Sequence, residues 1–508
     1  MSKSVCKVRL LDEVAAVVVG LHGDHLDILY KKYSIPAPNY FFNPLYKLGR
    51  WDGKIHFIQP NGKTYIYLLE EIIPRIVQMG YEISVEDLRS VVAPSPPLIK
   101  DDIFAHVMHP DTGKPTMLRY YQLDGINTLI ENGFGIVRAS TGAGKTILCT
   151  GLCKAYGDVG IKTLTIVPSQ DLIKQTKKVY THSGLDTGEY SGTNKDLNHD
   201  HVVSTWQALK NNPKIIELFQ MVLVDECHGA KGKELQKILT DHASKIPYRF
   251  GVTGTMPPEP ADEMAVHVAL GPVRYTVTAK QLIDEGVLAA PHIDVIQLEE
   301  DLKDEYSAYC AELKPGIKPL TYVQYKDQYL PDFTSEKAYL HRRSMRIEWI
   351  ASYIQAKADK KKGNVMCFVD SIPFGRKLAD LIPGAIFVNG QDTKSAAKRR
   401  EIYDLFENHD NLTVIATVNI AGTGLDVPRI FNVVTIDLGK SFIRVIQALG
   451  RGLRKAHDKD TVMISDICGD LKYSKKHLKQ RMNYYDDAGY PYKRHKIDYV
   501  KQLNDLDV

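Results

Sequence analysis

The spacing of apolar positions divides the chain into segments of different kinds. Near the start, KIHFIQP and KTYIYLL flank Asn61–Gly62, a dipeptide suited to a two-residue hairpin turn. LLEEIIPRIVQMG comes next, with helical spacing and a closing Gly80. These elements predict a small α+β domain over 1–100, ending in the Pro-containing stretch VVAPSPPLIKDD at 92–102. Further on, short apolar runs alternate with helical patterns: FGIVRAS, TLTIVP, HVVST, MVLVDE and YRFGVTGT. Such runs fit strands covered on both faces in a parallel sheet. A polar, tyrosine-rich stretch without clear period spans 300–340. A second alternating set then begins with NVMCFVD, AIFVNG, LTVIAT, NVVTIDL and TVMISDI. The pattern predicts an α/β protein with two tandem doubly wound parallel-sheet domains, at 101–295 and 346–470. A linker or insert at 296–345 joins them, and a basic, tyrosine-rich tail fills 471–508.

Composition narrows this picture. Of 508 residues, 44% are hydrophobic and 25% charged, as in water-soluble globular chains. No apolar run reaches 18 residues, which predicts no membrane span. The apolar stretch at the N-terminus is broken by Asp12 and Glu13, which argues against a signal peptide. The seven cysteines include no CxxC pair, so neither a disulfide framework nor a zinc site is expected, and the predicted compartment is reducing and cytoplasmic. A net charge of +4 permits nucleic-acid binding without establishing it.

The candidate chemistry begins with FGIVRASTGAGKT, Phe134 to Thr146. An apolar strand runs into a glycine-containing loop and then into a helical pattern, the context a phosphate-binding loop requires. Ser140, Thr141, Gly142, Ala143 and Gly144 form the loop, and the two glycines let backbone N–H groups approach phosphate oxygens. Lys145 reaches the β- and γ-phosphates of ATP, and Thr146 suits Mg²⁺. The first glycine of GxxxxGK[ST] is Ala139 here. Downstream, MVLVDECH ends an apolar run on a carboxylate pair. Asp225 is placed to hold Mg²⁺, and Glu226 to orient or deprotonate the attacking water.

Asp225-Glu226-Cys227-His228 is a DECH form of the DEAD/DEAH box, and with AxTGxGKT it resembles the superfamily 2 helicases. The other motifs occur in that family's order. The resemblance implies RecA-like domains with an ATP site between them. It assigns Arg119 and Gln122 in LRYYQLDGI to adenine reading. Pro168, Ser169 and Gln170, and Ser204, Thr205 and Gln207 in VVSTWQAL, fall to the nucleic-acid backbone. Thr253, Gly254 and Thr255 couple hydrolysis to strand binding. In the second domain, QALGRGLR resembles motif VI, with Arg454 as the arginine finger, Arg451 its companion on the γ-phosphate and Gln447 near the attacking water. A cation brought to the γ-phosphate stabilises charge built up during phosphoryl transfer. ATVNIAGTGLDVP resembles motif V. It gives Thr417, Gly422 and Thr423 to the strand, and Gly424 and Asp426 to the nucleotide. Asn389 and Gly390 in FVNGQ also fall to the strand, and Lys394, Lys398, Arg399 and Arg400 could lie along it or on an ordinary basic helix.

Outside the motor, FFNPLYKLGRWDGKIHFI at 41–58 resembles the N-terminal domain of the phage UvsW recombination helicases, a family that migrates junctions, regresses forks and dissolves displacement loops. That resemblance implies branched or forked DNA as partner, with recombination or replication proteins nearby and a monomer favoured. Lys47, Arg50 and Lys54 are candidate phosphate contacts, while Trp51, Phe57 and Tyr65 equally suit the core of a small β-domain. The tail KYSKKHLKQRMNYYDDAGYPYKRHKIDYVK interleaves cations with tyrosines, which suits single-stranded nucleic acid or packing against the motor. An RNA helicase, and a clamp or strand-annealing protein with weak catalysis, are the competing readings. The intact set Lys145, Glu226 and Arg454 argues against the clamp, and no nuclease constellation is present.

Overall fold

A computed structural model describes the chain apart from residues 1–3, 90–93, 109–112, 289, 315–316, 360–362, 390–403, 407, 419–429, 440–460, 488 and 506–508. It divides into two compact units, Met1–Val277 and Thr278–Val508.

The first unit opens with β1 (Val5–Leu10), β2 (Ala15–Val19), β3 (Ser34–Pro36), β4 (Lys54–His56), β5 (Lys63–Tyr65) and β6 (Glu82–Asp87). These form a four-stranded sheet in the order β5-β2-β1-β6 and a separate β3–β4 ladder. The turn at Asn61–Gly62 exists, closed by Gly62 N–H donating to Gln59 O at 2.9 Å. The hairpin expected around it does not, because β4 pairs with β3 and β5 with β2. The predicted helix is present as Leu69–Gln78, burying Leu69, Ile72 and Ile76. Phe57 lies in this core, Tyr65 packs at its edge, and Trp51 is only half-buried.

The expected break at 92–102 does not separate this region from the large sheet of the same unit. Glu13 N–H donates to Ser244 O at 2.8 Å, Tyr67 packs on Phe134 with ring centroids 4.5 Å apart, and Arg274 pairs with Glu70. Val268 joins the N-terminal core.

The rest of the first unit is a parallel sheet of seven strands: β7 (Phe134–Ala139), β8 (Thr163–Val167), β9 (Thr187–Tyr190), β10 (His201–Thr205), β11 (Met221–Asp225), β12 (Tyr248–Thr253) and β13 (Val273–Val277), in the order β13-β7-β12-β11-β8-β10-β9. Central β8 is buried at every position, as its unbroken apolar run requires. Arg249 in β12 is fully buried yet satisfied. Its guanidinium donates to the carbonyls of Leu239, Ala243 and Ala269, tying helix ends to the sheet.

The second unit holds another seven-stranded parallel sheet: β14 (Ala290–Leu298), β15 (Val365–Val369), β16 (Ile386–Val388), β17 (Thr413–Thr417), β18 (Asn432–Ile436), β19 (Thr461–Gly469) and β20 (Tyr492–Ile497), in the order β16-β17-β15-β18-β19-β14-β20. This corrects two boundaries. The division at 295/296 falls inside β14, which pairs with β19 and β20. The segment 471–508 is not a tail. It supplies the helix Lys472–Asp487, edge strand β20 and the helix Tyr499–Asn504. Arg481 and Tyr485 within it are buried on Asp466, at 2.8 and 3.0 Å, and unavailable to a nucleic acid. The stretch 300–340 is largely helical, and its small core combines Leu302, Leu330 and Leu340 with Tyr325 and Tyr339, with Tyr306 packed against it; the three tyrosine hydroxyls donate to backbone carbonyls.

Among the described residues, no helix is long and apolar enough to cross a membrane.

Candidate ATP site

The site is built at the carboxyl edge of the first sheet, where β7, β11 and β12 lie side by side. Strand β7 ends at Ala139. Ser140 N–H donates to Val277 O at 3.1 Å, and Ala143 N–H donates back to Ser140 O at 3.2 Å, turning the chain. The helix Lys145–Gly157 then begins, with Leu148, Cys149, Leu152, Cys153 and Tyr156 buried beneath it. Gly144, at φ +80°, occupies a backbone region that side chains rarely adopt, and a Cβ there would stand 2.5 Å from Gln122 Nε2. The loop is therefore clasped from behind. Gln122 Nε2 donates to Ala143 O at 3.0 Å, and Gln122 Oε1 accepts from Arg119 N–H at 3.0 Å. In this structure the expected adenine reader braces the phosphate loop, while Arg119 is exposed and bonded to Tyr121 Oη at 2.9 Å.

Three chain segments meet over the loop. Lys145 Nζ lies 3.6 Å from Glu226 Oε1 and 3.5 Å from Ala139 O. Glu226 comes directly after β11 in a left-handed conformation, φ 51°, and its N–H donates to Asp225 Oδ1 at 3.0 Å. That uncommon backbone for a residue with a Cβ aims the Glu226 carboxylate at its neighbours rather than along the strand. Glu226 Oε2 lies 3.3 Å from His228 Nδ1 and 3.3 Å from Thr253 Oγ1, and His228 Nδ1 is 3.0 Å from Thr253 Oγ1. The carboxylate box and the Thr253–Thr255 segment are thus joined through one hydroxyl, buried at the end of β12. Gly254 sits where a Cβ would be 3.5 Å from Lys145 Nζ.

The electrostatics separate the two carboxylates. Burial, reinforced by the adjacent Glu226 charge, pushes the Asp225 carboxyl up. Burial acts on Glu226 in the same direction, but the Lys145 ammonium and the His228 contact outweigh it and hold Glu226 below the usual carboxylate range. The residues fit a magnesium nucleotide. The Ser140 hydroxyl is buried without a hydrogen-bond partner among the described residues. Lys145 has only long contacts. Thr146 is half-buried in the first turn of the helix. Asp225 sits in the crowded negative environment that a divalent cation relieves.

Other expected residues fall at the same edge with varied exposure. Pro168 and Gln170 are exposed after β8, and Ser169 caps the helix Gln170–His182, accepting from Leu172 N–H at 3.5 Å. Gln207 is exposed after β10. Ser204 is a correction. Its hydroxyl is fully buried and donates to Tyr190 O at 2.7 Å, so the side chain faces the sheet interior and is not presented to a strand. Thr205 is also buried. In the second unit, Asn389 and Thr417 are buried at the carboxyl ends of neighbouring strands β16 and β17. Gly390, Lys394, Lys398, Arg399, Arg400, Gly422, Thr423, Gly424, Asp426, Gln447, Arg451 and Arg454 lie outside the described residues. His228 has no assigned role in the sequence. Its signal was the fourth letter of the DECH box, and its ring meets both Glu226 and Thr253, which also bond to each other directly.

Three family models match the chain: Type III restriction enzyme, res subunit, over residues 116–258; Helicase conserved C-terminal domain over 345–456; and DNA helicase UvsW, N-terminal, over 6–86. The chain is 25% identical over 452 residues to the ATP-dependent DNA helicase uvsW of Enterobacteria phage T4, covering 86% of this chain and 85% of the relative. It is 24% identical over 411 residues to the DNA 3'-5' translocase XPB2 of Sulfurisphaera tokodaii, covering 76% and 86%. Among solved structures, the ATP-dependent Type ISP restriction-modification enzyme LlaBIII bound to DNA superposes with a TM-score of 0.55 at 14% identity, over 84% of this chain and 34% of that one, which shows a shared fold.

Proposed function

The chain belongs to the ATP-hydrolysing helicases of superfamily 2, and from that premise we propose that it is a DNA motor that remodels branched DNA by migrating junctions, regressing forks and dissolving displacement loops. The observation that carries the motor assignment is the direct join of Glu226 to Thr253, with His228 in contact with both. It gives the water-activating carboxylate a direct mechanical link to the segment assigned to coupling. The N-terminal match over 6–86 and the names of the DNA-acting relatives support DNA as substrate.

Lys145 offsets the Glu226 charge at 3.6 Å. Its ammonium then transfers to the β- and γ-phosphates. That transfer removes the largest charge opposing protonation of Glu226, so the carboxylate becomes a stronger base as the site fills. Thr146 and Asp225 would hold Mg²⁺, which when bound would supply charge neutralisation on the phosphates. Thr253 and His228 keep the Glu226 carboxylate aimed, so a shift of the Thr253–Thr255 segment on strand binding alters the aim of the base. Arg451 and Arg454 of motif VI supply the cations that stabilise the transferring phosphoryl group.

ATPase stimulation by a fork, a plain DNA duplex and a structured RNA tests the reading. The fork is expected to stimulate most. Stimulation by RNA alone would overturn the DNA assignment, and equal stimulation by fork and duplex would remove the preference for branches.

A further inference from the structure

Between β3 and β4 the chain makes a long excursion whose base is closed by Ala37 N–H donating to Gly53 O at 2.8 Å. It is internally braced. A short 3-10 turn, Tyr40–Phe42, leads into a helical turn, Pro44–Lys47, capped by the Asn43 side chain, which accepts from Leu45 N–H at 3.0 Å. Arg50 N–H donates to Leu45 O at 2.9 Å, and Trp51 Nε1–H to Lys54 O at 2.9 Å. Tyr40 meets Tyr46 edge-on at 4.8 Å, and both rings lie against Gly53, whose φ of +79° and absent Cβ the packing requires.

A loop so well braced could keep its apolar side chains inward, yet it presents them. Phe42 is 67% exposed, Leu48 66%, and Phe41 and Leu45 each 50%. Phe41 and Phe42 lie together, ring centroids 4.5 Å apart. A contiguous apolar ledge on a surface marks a contact site. Its chemistry selects the occupant. Lys47 and Arg50 lie in the same excursion and Lys54 at its end, and none makes an ion pair among the described residues. The one carboxylate in the loop, Asp52, is engaged by His56 at 3.2 Å and by Lys54 N–H at 3.0 Å. Flat apolar faces beside uncommitted cations complement unstacked bases flanked by phosphates. The ledge is also anchored to the motor. β3 lies against the helix Pro260–Leu270, which comes after the Thr253–Thr255 segment, and Met264 and Val268 of that helix pack into the N-terminal core.

We propose that this loop is a wedge that stacks Phe41 and Phe42 on the bases uncovered where a DNA duplex branches, while Lys47, Arg50 and Lys54 hold the adjoining phosphates. The proposal rests on the branched-DNA reading and deepens it by naming the residues that meet the branch point. Wedge and carboxylate site belong to one compact unit, Met1–Val277.

The test uses full-length protein and a DNA fork carrying 2-aminopurine at the branch point, comparing wild type, F41A/F42A and F41W/F42W. Thermal melting checks that the variants fold, as expected for exposed positions. Wild type and F41W/F42W are expected to change the branch-point fluorescence. F41A/F42A is expected to lose that change, and its preference for fork over linear single strand should fall about tenfold or more, the worth of one to two stacked bases. A wild-type signal from F41A/F42A would overturn the wedge, as would a change in sedimentation without a change in DNA binding, which would make the ledge a protein interface. If wild type showed no preference for forks while the fluorescence still depended on Phe41 and Phe42, the branched-DNA reading would fail and the stacking contact would stand.

Discussion

Both units set acidic residues at the carboxyl ends of strands in their parallel sheets, and they use them in opposite ways. At the end of β11, Glu226 meets Lys145, His228 and Thr253 at 3.3–3.6 Å, with its side chain 23% exposed. Just after β18, Asp437 is fully buried against Arg346, which donates to Asp437 Oδ1 at 2.9 Å and to Glu300 Oε1 at 2.7 Å. Tyr499 closes the set by donating to Glu300 at 3.0 Å. The first group is loosely held and open on one side, so its charges can be re-paired. The second is short-bonded and enclosed, so its charges can only hold the fold. Topologically similar strand ends thus separate into chemistry and cement by contact length and exposure.

The comparison predicts different losses from the two groups. Arg346→Leu strands Glu300 and Asp437 in the interior, and should cost the second unit about 3–5 kcal/mol, read by chemical denaturation. A loss below about 1 kcal/mol would remove the enclosed character assigned to this cluster. Glu226→Gln should leave thermal stability nearly unchanged while lowering DNA-stimulated turnover at least about 100-fold, since only a positioned base is removed. Normal turnover would end the assignment of Glu226. His201, buried in β10 with Nδ1 2.8 Å from Thr163 Oγ1, has its imidazole pulled down to about 4 by burial. Below about pH 6.5 the unfolded chain binds a proton that the folded one refuses, so this group's contribution to stability is full above that pH and declines as pH falls towards 4, by about 3 kcal/mol at most. Relative to His201→Gln, the wild type should therefore lose its advantage across that window, and a constant difference would contradict the burial argument. His228→Ala should have the smallest effect, lowering the ratio of DNA-stimulated to basal ATPase by about tenfold, the worth of one hydrogen bond to a charged group.

Much of this was legible in the chain. Strands β7, β8, β10, β11 and β12, and all of the second set except β14 and β20, arise from short, largely apolar runs, because a strand covered on both faces shows little polar side. β20, YKRHKI, is an edge strand with mostly exposed side chains, so its composition resembled a basic tail. The helices of 300–340 mix tyrosines with leucines in their small core and bond the tyrosine hydroxyls to backbone carbonyls, which blurs that core in a hydropathy pattern. Lys145, Asp225 and Glu226 were visible because their spacing is dictated by phosphate chemistry. The inward turn of Ser204 and the contact of His228 with Thr253 were not, since each depends on a residue distant in sequence.

The central claim is that ATP hydrolysis by this chain drives the remodelling of branched DNA. Dissociation of a synthetic four-way junction, monitored with ATP and with a non-hydrolysable analogue, tests it most directly. The account predicts separated arms with ATP and an intact junction with the analogue. Equal product with both would show that no motor is at work.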